Sequence, residues 1–143
     1  MKKIINYGLC AVMFGLMGAS AALAAGLDDL RGGWAEVRTN ENNEVYTQTL
    51  DFEKDKFIFK IVDANKKTVL FAKGDVKVET RNSLNIISFT HIEAGESSSD
   101  LSPEEDDRNC IYFLDDDKLS IAIDFDKNRQ KTPRVEVYTK AKK

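Results

Sequence analysis

The chain has few of the residues on which catalytic and metal sites most often depend. Its 143 residues include one histidine, His91, and two cysteines, Cys10 and Cys110. The sequence contains no Gly-x-Ser-x-Gly, Ser-x-x-Lys or Cys–His arrangement, although an activated nucleophile needs a base beside it. A zinc site takes about four ligands, more than one His and one Cys can supply. We therefore expect no catalytic residue, no metal ion and no cofactor, with His91 a structural or surface side chain.

Acidic residues are plentiful, and one group resembles the start of a calcium-binding loop. Asp124, Asp126 and Asn128 follow the spacing Asp-x-Asp-x-Asn. The complete loop also requires Gly at its sixth position and Glu at its twelfth, where this chain has Arg129 and Val135. We therefore interpret the segment as a solvated turn. Nothing in the sequence selects two of the other acids as a catalytic carboxylate pair.

The N-terminal segment has the features of a cleaved export signal. Lys2-Lys3 precedes an uncharged apolar run, Ile4–Leu23, and Ala22-Leu23-Ala24 supplies the small residues of a cleavage site. This order predicts a signal peptide over residues 1–24, cleavage before Ala25 and a periplasmic or secreted protein. A membrane anchor is the alternative, because the run approaches the ~20 residues that span a bilayer.

Residues 25–143 are expected to form a single domain. The whole chain has 24 acids and 21 bases, and two of its lysines lie in the expected signal. Such an acidic domain is a poor partner for nucleic acid or an anionic membrane, which select clustered Lys and Arg. No second apolar run is long enough to span a membrane. Cys110 would be the domain's one cysteine, so it is either buried and inert or paired with another chain.

The remaining pattern has a period of two residues rather than 3.6. Segments rich in Val, Ile, Phe, Tyr and Thr are separated by charged or Asn- and Gly-containing turns, which predicts antiparallel strands joined in sequence order. A helical turn over Leu27–Arg31 is expected before them, and Gly74 predicts a bulge or sharp bend within the longest strand. The expected fold is all-β, a closed up-and-down barrel, with an open sandwich as the alternative. The eight predicted strands are Trp34–Thr39, Val45–Phe52, Phe57–Val62, Thr68–Thr80, Leu84–Ile92, Cys110–Leu114, Leu119–Phe125 and Arg134–Thr139.

One predicted connection, residues 94–109, is long and acidic. Its apolar side chains are Ala94 and Leu101, and it carries acids along most of its length. Ser102-Pro103-Glu104-Glu105 has the arrangement of a capping box, which predicts one helical turn within a mobile loop. Loops of this length in a compact domain are often functional, and this one would suit a basic protein partner.

Gly32, Gly33 and Trp34 begin the first predicted strand, directly after the helical turn. This Gly-x-Trp start and the number of strands resemble the lipocalin-like barrels, and the segment Cys110–Ile123 is similar to small exported bacterial proteins of that kind with unassigned roles. The resemblance implies a barrel floor closed by Trp34, with a basic residue near the last strand packed on its ring. Arg134 is the residue that could take this place. The chain departs from the family in lacking a disulfide pair and in being shorter than a full lipocalin.

The resemblance also implies a function, a non-catalytic binder of a small apolar or amphipathic molecule inside the barrel. The candidate ligand-binding side chains are the aromatics Tyr46, Phe52, Phe57 and Phe59, which could instead simply fill the core. The alternative function is a protein-binding module or hydrolase inhibitor. It would present residues 94–109 to a basic partner such as a lysozyme-type enzyme.

Overall fold

Nine β-strands and one short helix make up the part of the chain that the computed structural model describes, residues 26–127 and 129–142. The expected signal peptide and its cleavage site lie outside these residues. Within them, no helix is long and apolar enough to cross a membrane. The elements are α1 (Leu27–Leu30), β1 (Gly32–Thr39), β2 (Val45–Glu53), β3 (Lys56–Asp63), β4 (Thr68–Arg81), β5 (Leu84–Ser97), β6 (Asp100–Pro103), β7 (Arg108–Asp115), β8 (Lys118–Ile123) and β9 (Arg134–Lys140).

Eight of the strands form a closed, up-and-down antiparallel barrel. Hydrogen bonds join them in the order β1-β2-β3-β4-β5-β7-β8-β9, and β9 returns to pair with β1. The remaining strand, β6, is short and pairs with the second half of β5. The predicted all-β, eight-stranded barrel is confirmed, and the sandwich is excluded because the first and last strands are bonded to each other.

Backbone bonds close the seam between β1 and β9 at the floor, which is the end of the barrel where β1 begins and β9 ends. The paired residues there are Trp34 with Lys140 and Ala35 with Thr139. The N–H of Ala141 also donates to the carbonyl of Gly33 over 2.8 Å. Closure at this end therefore has the ladder geometry that removes sheet edges.

Side chains hold the same seam toward the mouth, the opposite end, where β1 ends and β9 begins. The N–H of Val137 donates to the carboxylate of Glu36, a side chain on the facing strand. Farther along, Arg38 Nη1 donates to Glu136 Oε1 over 3.0 Å. The seam between β1 and β9 is thus closed by backbone hydrogen bonds at the floor and by side-chain hydrogen bonds toward the mouth.

The floor is sealed by α1 and by Trp34, which is 1% exposed. The indole Nε1 donates to the carbonyl of Leu30 over 2.8 Å, and Leu30 is itself fully buried. The cation over the indole ring is Lys140, whose Nζ lies 4.5 Å from the ring centroid. The expected partner, Arg134, is therefore not the one found: it lies at the other end of β9, at the mouth.

Residues 94–109 differ from the loop with a helical turn that the sequence predicts. Strand β5 continues to Ser97 and folds back through a tight turn into β6, so that Ala94 pairs with Ser102. A Cβ on Gly95 would lie 1.8 Å from the carbonyl oxygen of Asp100, so this close approach of the two strands requires glycine. The helical turn does not form because pairing with the exposed edge of β5 satisfies more backbone groups than one isolated turn can.

The expected irregularity at Gly74 is confirmed. The register between β4 and β5 shifts between Lys73 and Asp75, and opposite this shift His91 has a φ of 48°. A Cβ on Gly74 would lie 2.6 Å from the carbonyl oxygen of Thr90. The bulge turns His91 outward, where the imidazole Nδ1 lies 2.8 Å from Asp75 Oδ2. His91 is thus a surface side chain.

Candidate functional site

A cavity of about 350 Å³ lies inside the half of the barrel nearest the mouth. Its position follows from its lining, which includes Ile61 near the end of β3, Leu70 near the start of β4, Ile123 at the end of β8 and Arg134 at the start of β9. One wall is apolar and comes mainly from β2 to β5, because alternate side chains of these strands point inward. The apolar lining residues are Leu50, Phe57, Phe59, Ile61, Leu70, Ala72, Phe89, Ile92, Ala94, Cys110, Ile121 and Ile123.

Two of the four predicted ligand-binding aromatics, Phe57 and Phe59, line this cavity. Phe52 does not line it. That ring is buried nearer the floor, where it stacks on Phe89 with the ring centroids 6.5 Å apart. Tyr46 faces inward at the mouth end of β2 and is likewise absent from the lining. The alternation of β2 and β3 therefore identified the inward face correctly but did not show where along it the cavity lies.

The opposite wall is charged, and Glu136 is at its centre. This residue of β9 is 5% exposed. Its Oε1 accepts hydrogen bonds from Arg38 and Arg134, each over 3.0 Å, and its Oε2 accepts from the hydroxyl of Tyr138 over 2.6 Å. Burial is the main reason that the pKa of Tyr138 is raised, and the neighbouring Glu136 adds to it. The Glu136 carboxylate is therefore buried but fully compensated by donors.

A second buried carboxylate, Asp124, continues the charged wall where β8 ends. Its side chain is 2% exposed and accepts from Arg134 Nη1 over 2.8 Å and from Arg108 Nη1 over 3.3 Å. Because Arg134 also binds Glu136, this one guanidinium bridges both carboxylates. The result is a chain of alternating charges across the mouth, built from β1, β7, β9 and the residue directly after β8.

Asp126, which belongs to the sequence group that resembles a calcium loop, is part of the same wall. Asp126 accepts two hydrogen bonds from Arg129, each over 3.0 Å, and one from the N–H of Asn109 over 2.9 Å. Burial alone would raise the pKa of Asp126, but these donors outweigh it and lower the pKa. No cluster of three metal-ligating side chains occurs in residues 26–127 and 129–142. The charge of Asp126 is instead neutralised by Arg129.

One buried polar atom of this half of the barrel lacks a partner within the described residues. It is Oε2 of Glu36, the residue whose carboxylate receives the N–H of Val137. Burial raises the pKa of Glu36, Arg38 acts against this, and the nearby Glu136 adds to the increase. The seam near the mouth therefore contains a carboxylate that is less well compensated than Glu136 or Asp124.

Outside the cavity, the connection between β8 and β9 borders a depression of about 370 Å³ that is more open to solvent than the inner cavity and is called the outer chamber below. It shares four lining residues with the inner cavity: Arg108, Asp124, Arg129 and Lys131. The rest of its lining consists of Asp106, Lys127 and Gln130. An apolar interior thus leads to a polar entrance across a shared charged wall.

Sequence reasoning missed most of this charged wall. On β9 the valines alternate with Arg134, Glu136 and Tyr138, and the hydrophobic pattern favours the valines as the inward set. The structure has the reverse: Val135 is 61% and Val137 46% exposed, while Glu136 and Tyr138 are buried. The signal in the sequence that could have identified the inward face of β9 was Tyr138, a large residue on the same face as Arg134 and Glu136.

Cys110 lies on β7 and lines the inner cavity, with 3% of its surface exposed. Burial raises the pKa of its thiol to about 12, and the nearby Asp126 adds to the increase. Of the two interpretations left open by the sequence, the structure favours the buried and inert thiol, since a thiolate is required for attack or exchange.

The fold and the cavity together define a closed antiparallel β-barrel with an interior that is apolar on one side and charged on the other. Comparisons with models of protein families, with curated proteins and with solved structures find no match to this chain. What the cavity can bind is therefore inferred from its lining residues.

Proposed function

We propose that the protein is a non-catalytic binder of a small amphipathic molecule and belongs among the exported bacterial lipocalin-like barrels. The observation that carries the proposal is the cavity with one apolar and one charged wall. Its volume of about 350 Å³ falls at the lower end of the ~300–1,000 Å³ typical of small-molecule pockets. A ligand with a short apolar body and one polar end fits both walls.

The energetics support binding of the apolar part against β2 to β5. Each Å² of apolar ligand surface removed from water contributes about 25 cal/mol. The facing carboxylates Asp124 and Glu136 are already bonded to arginines. A ligand can therefore enter without desolvating an unpaired charge on these two residues, a step that would otherwise oppose binding.

The proposal is tested by filling the cavity. Ala94 lines it, so Ala94→Phe should occupy part of the volume and weaken binding of an apolar fluorescent dye by about tenfold or more. Ala122 is the matched control, because it lies on β8 between two inward residues and is absent from the lining. Ala122→Phe should bind the dye as the parent protein does.

Binding is measured by dye titration and by native mass spectrometry, with urea melts to establish that both variants fold. Equal dye affinity in the parent protein and in folded Ala94→Phe would place the dye outside the cavity and contradict the proposal. So would a parent protein that binds no apolar or amphipathic probe.

A second candidate function, a protein-binding module or hydrolase inhibitor, has one observation in its favour. The end of the β5–β6 hairpin and the connection to β7 carry exposed acids, among them Asp100, Glu104, Glu105 and Asp107. Deleting the hairpin turn, residues 97–100, should abolish recovery of a basic partner in pull-downs. Unchanged recovery would count against this function, and the dye titration above would be unaffected by either result.

A further inference from the structure

The outer chamber has an excess of cationic side chains. Of the seven described residues that line it, four are basic, Arg108, Lys127, Arg129 and Lys131, and two are acids, Asp106 and Asp124. We propose that the ligand of the barrel carries an anionic head group, a carboxylate or a phosphate, held between Arg108 and Lys131. This inference rests on the proposed function, because a ligand seated in the inner cavity is what places a head group there.

Arg108 and Lys131 are the cations with unused hydrogen-bonding capacity. The side chain of Arg108 is half exposed, and its one hydrogen bond to another described residue runs from Nη1 to Asp124 over 3.3 Å. A guanidinium has five N–H groups, so most of its donors remain available. Lys131 is exposed and forms no ion pair with any residue in the part of the chain that the structure describes. Both side chains line the inner cavity as well as the outer chamber.

The other two cations are already engaged. Lys127 Nζ bonds Asp106 over 2.7 Å. Arg129 binds Asp126 through two nitrogens and the carbonyl of Asp107 through Nη2 over 3.2 Å. These contacts fix the β8–β9 connection against the start of β7. A ligand oxygen that accepts hydrogen bonds would therefore find the most unused donors between Arg108 and Lys131.

A cationic head group is disfavoured by the same geometry. Asp124 lies beneath Arg108 and Arg134, with 2% of its side chain exposed, and Asp106 is bonded to Lys127. A cation would have to displace an arginine or a lysine to reach either carboxylate. Glu104, Glu105 and Asp107 form no ion pair within the described residues, but none of them lines the outer chamber, and only Glu104 lines the inner cavity. The charged groups facing the proposed position thus favour an anion.

The inference is tested with three probes of equal chain length: decanoate, decanol and decylamine. The parent protein should bind decanoate about tenfold more tightly than decanol, because charge-assisted hydrogen bonds are stronger than neutral ones. Decylamine should bind most weakly. In Arg108→Gln/Lys131→Gln the affinity for decanoate should fall to that for decanol, while decanol binding stays unchanged. Decyl phosphate, compared with decanoate, identifies which of the two anionic head groups binds more tightly.

The control is Lys77→Gln/Lys118→Gln, which removes the same number of charges from exposed residues that line neither chamber. It should keep the preference for decanoate. Equal binding of decanoate and decanol by the parent protein would overturn the inference while leaving the proposed function standing. Tightest binding of decylamine, or a preference for decanoate that survives in Arg108→Gln/Lys131→Gln, would also overturn it. If none of the probes binds, both proposals fail.

Discussion

Replacing Trp34 tests how the floor of the barrel is closed. The indole is almost fully buried, donates from Nε1 to the carbonyl of Leu30 over 2.8 Å, and lies beneath the ammonium of Lys140. Three substitutions separate these contributions. Trp34→Ala removes all the contacts of the indole, and Trp34→Phe removes mainly its hydrogen bond. Lys140→Met removes the charge over the ring together with the hydrogen bond that Lys140 Nζ donates to the carbonyl of Arg31.

The magnitudes follow from burial and geometry. Trp34→Ala should lower the free energy of unfolding by roughly 3–5 kcal/mol, because it deletes a large side chain and leaves a cavity. Trp34→Phe should cost about 1–3 kcal/mol, because the buried carbonyl of Leu30 loses its donor. Lys140→Met should cost about 1–2 kcal/mol, since it removes both the cation over the ring and the hydrogen bond to the carbonyl of Arg31 at a partly buried site.

The assay is equilibrium unfolding in urea. With a slope of roughly 2 kcal/mol per molar urea, Trp34→Ala should lower the midpoint by about 2 M. Double-mutant cycles then identify the cation: Trp34 should couple to Lys140, whereas its coupling to Arg134 should stay within about 0.5 kcal/mol. A cost below ~1 kcal/mol for Trp34→Ala, or coupling to Arg134 in place of Lys140, would refute this account of the floor.

Two further predictions concern the thiol and the seam. The Cys110 thiol should resist alkylation at pH 8 in the native protein and react once urea unfolds it. Because the pKa of the thiol rises from 9.0 to about 12 on folding, the unfolded chain loses this proton first. The thiol's contribution to stability is therefore complete below pH 9 and is lost as pH rises toward 12; fast native labelling would contradict this. At the seam, Glu36→Ala should accelerate hydrogen exchange at the Val137 amide, whereas Glu36→Gln keeps an acceptor and Ile121 stays protected in both. An unchanged Val137 rate in Glu36→Ala would rule out the side-chain bond.

Most of the barrel could be predicted from local pattern, because its strands bury one face. The predicted strand Phe57–Val62 and the observed Lys56–Asp63 agree to within one residue at each end. The period of two is strong there, since Phe57 and Phe59 alternate with Lys56 and Ile58. Strand β6 could not be predicted in this way. Its four residues, Asp100–Pro103, have little strand propensity and pair because β5 presents an edge to them.

The candidate site, too, could be predicted from the sequence only in part. Its apolar wall follows from alternation, and two of its aromatics were predicted. Its charged wall depends on partners far apart in the chain, such as Arg38 and Glu136, which are 98 residues apart. A periodicity argument cannot pair such residues, and on β9 it favours the wrong face. The choice of Arg134 as the cation on Trp34 failed for a related reason: the two ends of β9 lie at opposite ends of the barrel.

The cost of the charged wall is a physical argument for the function proposed above. Buried ion pairs contribute little net stability, because removing both charges from water costs several kcal/mol per ion and apolar residues of similar volume would often be as stable or more so. At the floor the chain buries apolar residues, and Leu30 and Trp34 fill the space. At the mouth it buries Asp124 and Glu136 instead and holds the seam with side chains rather than a backbone ladder. A barrel selected for stability alone would have the same construction at both ends. The asymmetry is accounted for if the mouth must accept a ligand whose polar end needs a preformed charged surface.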